Sequence, residues 1–389
     1  MKKRRIVLAS ILKPVNDTRM VEKMGASLVQ SGQYEVHIIG YPISASISES
    51  NIHFHPLQRF KRLSIGRFAA RIKTLKFIIK VKPELLIVTT AELLEVAVLF
   101  RIFFGTKIIY DIQENYWRNI LYTNAFPKLV RPLIASLVRL KEWLASPFFS
   151  QFLLAEKCYV DELGFIRNKF VVIENKCKIP QDFHRNPGKE FIELIFTGTL
   201  AESTGIFQAI NLAKKLHAVE SKIQLTIIGY CAQQKTLLQI EDEVSKNSFV
   251  RLVGGRNLVP HSEIITAIAT ANFGIISYPV SRHTDNKIPT KLYEYLACQL
   301  PILLQNHKPW IEIANAFDAA IVIDYEQPDI ESILKQIHTR RFYSNIAPGQ
   351  VREDTNLGGN SNQSKSNGFD ALTWKNEEKI LLDAVNNIF

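Results

Sequence analysis

Cysteine is scarce in this sequence, and its four residues, Cys158, Cys177, Cys231 and Cys298, are far apart and form no Cys-x-x-Cys pair. A disulfide framework and a zinc knuckle both depend on recognisable cysteine spacings, so both are excluded. Unpaired thiols are typical of proteins kept in a reducing compartment. We therefore expect a cytoplasmic protein.

Metal-binding motifs are also missing. The nine histidines include no His-Glu-x-x-His pattern, and no Asp-x-Asp sequence occurs. His53 and His55 share one face of a strand, but two histidines alone make a weak metal site, and a solvated strand face is the stronger interpretation. We expect no metal and no other cofactor.

Apolar runs of membrane-spanning length are absent. The stretches Leu93 to Gly105 and Leu144 to Ala155 are shorter than the ~20 residues that a spanning helix needs. Ile6 to Leu12 follows a basic N-terminus but meets Lys13-Pro14 without a small-residue cleavage site. This run predicts a buried first strand rather than a signal peptide.

Acidic residues are fewer than basic residues, which gives the chain a formal net charge of +11. Such an excess attracts nucleic acid, anionic lipid head groups or phosphorylated small molecules. Because no nucleic-acid-binding signature accompanies the charge, we do not expect nucleic acid as a partner.

Strand-length apolar runs alternate with segments of helical period, which indicates an α/β protein with parallel sheets. A length of 389 residues favours two domains. The predicted strands are Arg5 to Leu12, Glu35 to Gly40, Glu84 to Thr90, Lys107 to Ile112, Phe170 to Asn175, Glu193 to Gly198, Gln224 to Gly229, Phe249 to Val253, Phe273 to Tyr278, Pro301 to Gln305 and Ala320 to Asp324.

Composition also divides the chain. Residues 176–189 are rich in Lys, Pro, Asn and Gly, and predict an interdomain linker. We expect an N-terminal Rossmann-like domain at 1–178 and a C-terminal Rossmann-like domain at 179–343. Residues 344–389 would form a loop and a closing helix. Two doubly wound domains in tandem predict a ligand cleft where the carboxyl ends of their sheets face each other.

The most informative segment is Tyr278 to Ala297, which runs from a strand end through a polar loop into a helix. The helix N-terminus is a prepared anion site, and Lys287 and Lys291 beside it suit a diphosphate. Glu294, one turn further, can accept both hydroxyls of a ribose. The alternative is that Lys291 and Glu294 are only a surface ion pair, spaced i, i+3.

Several segments occur in the order found in glycosyltransferase family 4, whose retaining enzymes have GT-B architecture. The stretch Pro289 to Ala297, closed by Leu300 to Leu303, is similar to that family's P-x-K-x-x-E-Y-x-A…G-x-P-I/V-L segment. Phe196 to Leu200 resembles its G-x-L loop, and Tyr110 to Glu114 its Y-D-x-H-E segment. Leu12 to Met20 is similar to the opening of a subgroup of bacterial surface-polysaccharide transferases.

The resemblance implies a two-domain GT-B fold and the transfer of a sugar from a nucleotide-sugar donor, with retention, to a glycan or lipid-linked acceptor. Glu294 would hold the donor ribose, and the backbone of the G-x-L loop would wrap the diphosphate. The residues assigned to the donor are Glu294, Lys291, Asn286, Arg282, Gly198, Thr199, Leu200 and Gly229. The catalytic candidates are Lys287, Gln113 and Glu114, and the acceptor-side candidates are Asp17 and Arg19.

The chain departs from the family pattern at four of these places. Asn286 stands where the family has the first acid of E-x7-E, and Gln113 replaces its histidine. Thr199 and Thr204 occupy positions that are often basic. Asp17 as a plain helix cap is the stronger interpretation of that residue, and for Arg19 a surface role competes evenly with an acceptor phosphate contact.

Two segments of the expected N-terminal domain combine an apolar stripe at helical spacing with neighbouring basic residues. Phe68, Ile72, Leu75 and Ile79 form the first, and Leu133, Leu137, Leu140 and Leu144 the second. Core-facing apolar stripes with solvated basic faces are the simpler interpretation. The functional one is peripheral docking on the anionic inner face of the cytoplasmic membrane, where a lipid-linked acceptor would lie.

Two other functions fit the same architecture. A nucleotide-sugar epimerase would carry acid–base carboxylates and histidines, which this chain supplies poorly. A non-catalytic nucleotide-sugar-binding subunit would be consistent with Gln113, Asn286, Thr199 and Thr204. We favour a metal-independent transferase over both.

Overall fold

The structure is a computed structural model, and it describes residues 3–42, 51–60, 64–122, 126–180, 182–281, 285–344, 368 and 370–389. The donor candidate Arg282 and nearly all of the loop expected from residue 344 to 367 lie outside these residues. The chain divides into two compact units. Unit 1 contains Met1–Asn175 and Trp374–Phe389, and unit 2 contains Lys176–Thr373.

Unit 1 is built on a parallel sheet of seven strands in the order β3-β2-β1-β4-β5-β6-β7. These strands are β1 (Arg4–Pro14), β2 (Tyr34–Tyr41), β3 (Ile52–Pro56), β4 (Leu85–Val88), β5 (Lys107–Ile112), β6 (Gln151–Leu154) and β7 (Phe170–Val172). Central strands such as β1 are apolar at consecutive positions because helices cover both faces of a doubly wound sheet. The side chains of residues 6–9 are fully buried.

Unit 2 repeats the design with six parallel strands in the order β10-β9-β8-β11-β12-β13. They are β8 (Ile192–Thr199), β9 (Ile223–Tyr230), β10 (Val250–Gly255), β11 (Phe273–Ile276), β12 (Ile302–Gln305) and β13 (Ala320–Ile323). Counted within the unit, this order is 3-2-1-4-5-6, the order of the dinucleotide-binding Rossmann fold. The first six strands of unit 1 follow the same order.

Helices connect successive strands and cover the sheets. They are α1 (Ala26–Gln30), α2 (Gly66–Val81), α3 (Leu94–Phe104), α4 (Tyr116–Tyr122), α5 (Arg131–Ala145), α6 (Tyr159–Glu162), α7 (Ile206–Val219), α8 (Gln234–Lys246), α9 (His261–Thr270), α10 (Thr290–Ala297), α11 (Lys308–Asn315), α12 (Ile330–Thr339) and α13 (Trp374–Asn386). Among the described helices, none is both long enough and apolar enough to cross a membrane.

The last helix, α13, returns to unit 1. Trp374 and Leu381 pack in the same core as β1 and β2, and the Trp374 Nε1–H donates to Ser27 Oγ at 3.0 Å. The division between the units falls after Asn175, three residues before the expected domain end at 178.

Every predicted strand overlaps an observed one, but the list of predicted strands omitted β6 and also β3, although His53 and His55 of β3 were expected to share a strand face. β3 is a five-residue edge strand that contains two histidines and a proline, so its apolar alternation is weak. β6 follows α5 within one continuous apolar stretch, where periodicity cannot separate a strand from a helix.

The first helix begins where the sequence predicted, and Val21, Met24 and Leu28 are buried together. Its opening turns, Arg19–Gly25, are π-helical before regular α1 begins. π-Helical turns often accompany functional residues, and this one carries Arg19.

Candidate functional site

The strand order of unit 2 places a binding edge beside β8 and β11, where the sheet changes direction of growth. Ligands of doubly wound sheets bind at the carboxyl ends of the strands next to this point. The G-x-L loop lies at the end of β8, and Gly229 is the second-last residue of β9. The polar loop before α10 follows β11. The described donor candidates of unit 2 therefore lie along one edge of one sheet.

Two glycines allow backbone segments at this edge to touch. A Cβ at Gly229 would lie 1.7 Å from the carbonyl oxygen of Gly198, and a Cβ at Gly205 would lie 1.8 Å from that of Ser277. Gly205 also has a φ of 80°, which other residues rarely adopt. No side chain fits at either position, so the backbone of the edge stays close-packed.

The G-x-L loop is held by its own threonine. The Thr204 hydroxyl donates to the Thr199 carbonyl at 2.8 Å, while Leu200 is buried and its N–H donates to Tyr230 at 2.9 Å. Thr199 is exposed at the tip. A hydroxyl thus fixes the loop at one of the positions that the family often fills with a basic residue.

Lys291, in the first turn of α10, is the most unusual cation of this edge. Its residue exposure is only 4%, and its Nζ lies 3.8 Å from the ring centre of Phe196 and 5.0 Å from that of Tyr278. Within the described residues, this Nζ has no hydrogen-bond partner. The interpretation of Lys291 and Glu294 as a surface ion pair is therefore wrong, because Lys291 is not at the surface.

Burial controls the charge of this lysine. It lowers the pKa of Lys291 to about 7, although the nearby Glu294 carboxylate opposes the shift. Two electron-rich ring faces attract a cation, but they provide no oxygen or nitrogen acceptor for the three N–H bonds of the ammonium. An anion that entered this site would supply both the missing charge and the missing acceptors.

Glu294 lies one turn further along α10 and is mostly buried. Its Oε1 is 3.2 Å from Nε2 of His261, the first residue of α9. Sequence reasoning missed His261, since 33 residues separate it from Glu294 and no motif marks it. The contact orients the carboxylate.

The loop before α10 carries the remaining donor candidates. Asn286 is exposed and Lys287 half-buried. The Lys287 carbonyl accepts a hydrogen bond of 2.7 Å from Nε1 of Trp310, which anchors the backbone there. The structure thus brings Lys287, Lys291 and Glu294 to the beginning of one helix.

In unit 1, the acceptor-side candidates meet at the carboxyl edge of β1 and β5. Arg19 is 1% exposed, and its guanidinium donates to both carboxylate oxygens of Asp111 at 2.8 to 3.2 Å. Burial alone would lower the pKa of Arg19, but attraction and hydrogen bonding to Asp111 outweigh it and raise the pKa. A surface role for Arg19 is therefore wrong.

Gln113 belongs to the same network. Its Nε2 donates to Asp111 at 2.6 Å, and its Oε1 accepts from the Lys13 ammonium. Lys13 also lies 3.3 Å from the carboxylate of Asp17. Sequence reasoning found Asp17, Arg19 and Gln113 but missed Lys13 and Asp111, which connect them.

Asp17 and Glu114 have more local roles. The Asp17 carboxylate accepts from the Met20 N–H at 3.1 Å, as predicted for a helix cap. Glu114 is exposed and accepts from the Asn119 amide. Of the two neighbours in this segment, only Gln113 joins the buried network.

Helix α5 presents its apolar stripe outward. Leu133, Leu137, Leu140 and Leu144 are all more than half exposed, at 51 to 64%, while Glu142 is buried against the Tyr110 hydroxyl. The interpretation of this stripe as core-facing is wrong. A cavity of about 490 Å³ opens beside it, lined by Trp117, Arg139, Trp143, Phe165 and neighbouring residues.

The first stripe is divided. On α2, Phe68, Ile72 and Ile79 are exposed, whereas Leu75 packs against the core. Two of the basic residues that accompany it form ion pairs: Arg67 pairs with Glu92, and Arg71 with Glu95. Lys141, which accompanies the second stripe, also pairs with Glu95.

Comparison with known proteins agrees with this geometry. Residues 178–340 match the family described as Glycosyl transferases group 1. Sucrose-phosphate synthase from Thermosynechococcus elongatus has a TM-score of 0.71 at 14% identity, over 100% of this chain and 99% of that one. The fold is GT-B.

Two further structures show the same fold. Anabaena HepE, solved in complex with UDP and glucose, has a TM-score of 0.61 at 11% identity, over 100% of this chain and 97% of that one. WaaG, a glycosyltransferase involved in lipopolysaccharide biosynthesis, has a TM-score of 0.61 at 12% identity, over 86% and 90%. Among curated proteins, none matches the sequence significantly. The family match and the GT-B fold together support a glycosyltransferase.

Proposed function

We propose that this protein moves a sugar from a nucleoside-diphosphate sugar, a UDP- or GDP-sugar, to a glycan or lipid-linked acceptor in cell-surface polysaccharide synthesis, with retention of configuration. The observation that carries the proposal is the buried ammonium of Lys291 beside Glu294 at the start of α10. A site with one unpartnered cation, a helix N-terminus and a neighbouring carboxylate suits the diphosphate and ribose of such a donor.

Leaving-group stabilisation would carry most of the rate. Negative charge grows on the diphosphate as the glycosidic bond breaks, and preorganised cations and N–H groups there lower the barrier. Lys287 and Lys291 supply the charge, and the α10 N-terminus and the G-x-L loop supply N–H groups. In this scheme protein groups neutralise the diphosphate, so we propose a metal-independent reaction.

Gln113 would not act as the base. Its amide does not accept a proton near neutral pH, and both of its ends are engaged by Lys13 and Asp111. We propose that the departing phosphate assists deprotonation of the acceptor hydroxyl, while Glu114 stays available at the surface. Retention then needs no histidine at this position.

The first test is a thermal-shift screen against UDP, GDP, CDP, ADP and their common sugars. A ligand that binds only the folded state raises Tm by mass action. We expect a shift with one nucleotide, lost in Glu294→Ala and unchanged in Glu312→Ala, an exposed acid on α11. Lys287→Ala should bind the nucleotide and lower turnover. Full transfer by Glu294→Ala would overturn the proposal.

For the acceptor, the outward stripe of α5 supports docking on an anionic membrane surface. Sedimentation with vesicles of phosphatidylglycerol and phosphatidylcholine should pull down the wild-type protein at low salt. Replacing Leu133, Leu137 and Leu140 by serine should abolish this, because the three side chains bury apolar area in the bilayer boundary. Val219→Ser, at an exposed position of α7, is the control.

A second function is favoured by one observation. The Gln113 amide is held in a hydrogen-bonded network, where it cannot act as a base. In this alternative the protein is a nucleotide-sugar-binding subunit that does not catalyse transfer. This candidate predicts the same thermal shift but no sugar transfer and no donor hydrolysis with any donor. Mass spectrometry of the donor after incubation with membrane extract distinguishes the two.

A further inference from the structure

Three histidines and a glutamate lie together on edge strand β3 and its neighbour β2 in unit 1. Glu35 and His37 are two apart on β2, and His53 and His55 are two apart on β3. The strands are parallel, with His37 directly opposite His53. Alternation therefore places all four side chains on one face of the sheet.

The spacing of their ligand atoms is that of a metal site. Oε1 of Glu35 is 3.2 Å from Nε2 of His37 and 3.5 Å from Nε2 of His53. With zinc–ligand distances of about 2.0–2.1 Å, two ligands of a tetrahedral ion are about 3.3–3.4 Å apart. One ligand atom from each of the three residues lies within 4.8 Å of the others.

His37 provides a second, independent observation. The residue is 8% exposed, and Nε2 has no hydrogen-bond partner in the described part of the chain, despite its closeness to Glu35. Nδ1 of His37 lies 3.0 Å from Nε2 of His55. When His37 donates through Nδ1, its Nε2 presents a lone pair to the carboxylate, and two acceptors face each other.

In that tautomer, a cation between Nε2 and the carboxylate turns two facing acceptors into two ligands. We propose that Glu35, His37 and His53 bind one divalent transition-metal ion, Zn²⁺ in the first place, with His55 orienting His37. Two imidazoles and a carboxylate suit zinc, whereas Mg²⁺ prefers oxygen ligands throughout. The exposed sides of Glu35 and His53 leave the fourth position to water. The ion ties edge strand β3 to β2 and acts independently of sugar transfer.

The site differs from the other histidine–carboxylate pairs of the protein. His338 lies 2.7 Å from Glu220, and His261 lies 3.2 Å from Glu294. Among the described residues, only the group around Glu35 brings three such ligands together. His338 is therefore a matched control, since it is a similarly exposed histidine that faces one glutamate.

The test is Zn²⁺ titration of protein without a histidine tag, by competition with a chromogenic chelator. We expect one saturable equivalent. His53→Gln and Glu35→Gln should each weaken binding at least about tenfold, and His338→Gln should not change it. His55→Gln should have a smaller effect than either ligand variant, since its role is to position His37.

Two further readouts decide the outcome. Co²⁺ should give intense visible absorption bands of a tetrahedral site in the wild type and lose them in His53→Gln, and Zn²⁺ but not Mg²⁺ should raise Tm. Circular dichroism of the metal-free variants checks that they fold, which is expected at two partly exposed positions. No saturable binding, or equal affinity in His53→Gln and Glu35→Gln, would overturn the proposal.

Discussion

Two buried cations lie at the carboxyl edges of the two sheets, and their surroundings differ. Arg19 in unit 1 is joined to Asp111 by hydrogen bonds to both carboxylate oxygens. Lys291 in unit 2 has two aromatic rings as neighbours and, in the described residues, no hydrogen-bond acceptor. One cation is neutralised by the protein, and the other is not.

We infer from this difference that Arg19 stabilises the fold, whereas Lys291 is available to bind an anionic ligand. A buried ion with a bidentate partner has its charge compensated whether or not anything binds, although Nη1 of Arg19 has no hydrogen-bond partner in the described residues. A buried ion without one raises the free energy of the empty protein, and burial lowers the pKa of Lys291 to about 7 as a result. An anionic ligand removes that cost, so its binding is strengthened by the destabilisation of the empty site.

The largest expected effect comes from breaking the paired site. Asp111→Asn keeps the volume but leaves Arg19 buried without its counter-ion, which typically costs about 3–5 kcal/mol. We expect a matching fall in the urea midpoint, with faster hydrogen exchange of the β5 amides. Asp242→Asn, which breaks an exposed pair with Lys246, should change little. If Asp111→Asn is as stable as the wild type, Arg19 is not held by this pair.

The second prediction converts the unpaired site into an apolar one. Lys291→Met should stabilise the empty protein by about 1–4 kcal/mol at pH 7, because it removes a buried, uncompensated cation. The same variant should lose the nucleotide-induced Tm shift. Lys214→Met, at an exposed lysine of α7, is the control and should alter neither property. A destabilised Lys291→Met variant that still binds nucleotide would remove the contrast with Arg19.

The third prediction concerns pH. The unfolded lysine titrates near 10.5 and the folded one at about 7, so between these values the unfolded state binds more protons. The free energy of unfolding of the wild type should therefore rise with pH across this window, relative to Lys291→Met. The advantage of the methionine variant should be largest below pH 7 and shrink towards pH 10.5. A difference that is constant with pH would mean that the folded lysine has an ordinary pKa.

The smallest effect is expected at Gln113. Gln113→Ala removes one hydrogen bond to Asp111 and one from Lys13 but leaves the Arg19 pair intact, which should cost about 1–2 kcal/mol in urea unfolding. Nucleotide binding should not change. Asn119→Ala, which removes an amide at the surface, serves for comparison. A loss as large as that of Asp111→Asn would show that Gln113 is part of what neutralises Arg19.

Most of the fold could be predicted from the sequence. All six strands of unit 2 overlap predicted ones. These elements have long, regular apolar patterns, which depend on local geometry alone. β3 and β6 were missed because their patterns are short or continuous with a helix.

The candidate site could be predicted in part. The segment from Tyr278 to Ala297 pointed to Lys287, Lys291 and Glu294, because helix-terminus chemistry is visible in consecutive residues. Asp111 and His261 could not be found in this way. Arg19 and Asp111 are 92 residues apart, and parallel strand order alone brings the ends of β1 and β5 to the same edge.

The sequence also did not predict which way the apolar stripe of α5 faces. Leucines every three or four residues on α5 predict an apolar face, but periodicity does not say whether that face meets the core or the solvent. In the structure Glu142 points inward to Tyr110, and the leucines point outward. The contacts of Tyr110 and its neighbours on the sheet decide this, and those neighbours come from distant parts of the chain.

By itself, the sequence determined the α/β class, the alternation of elements and the chemistry carried by the start of α10, since each depends on residues close in the chain. Tertiary structure alone decided which charges are paired. It gave Arg19 a carboxylate, enclosed Lys291 between Phe196 and Tyr278, and assembled Glu35, His37 and His53 across two strands. The physical reason is that charge neutralisation and burial depend on distances in space, and packing of the sheets sets those distances.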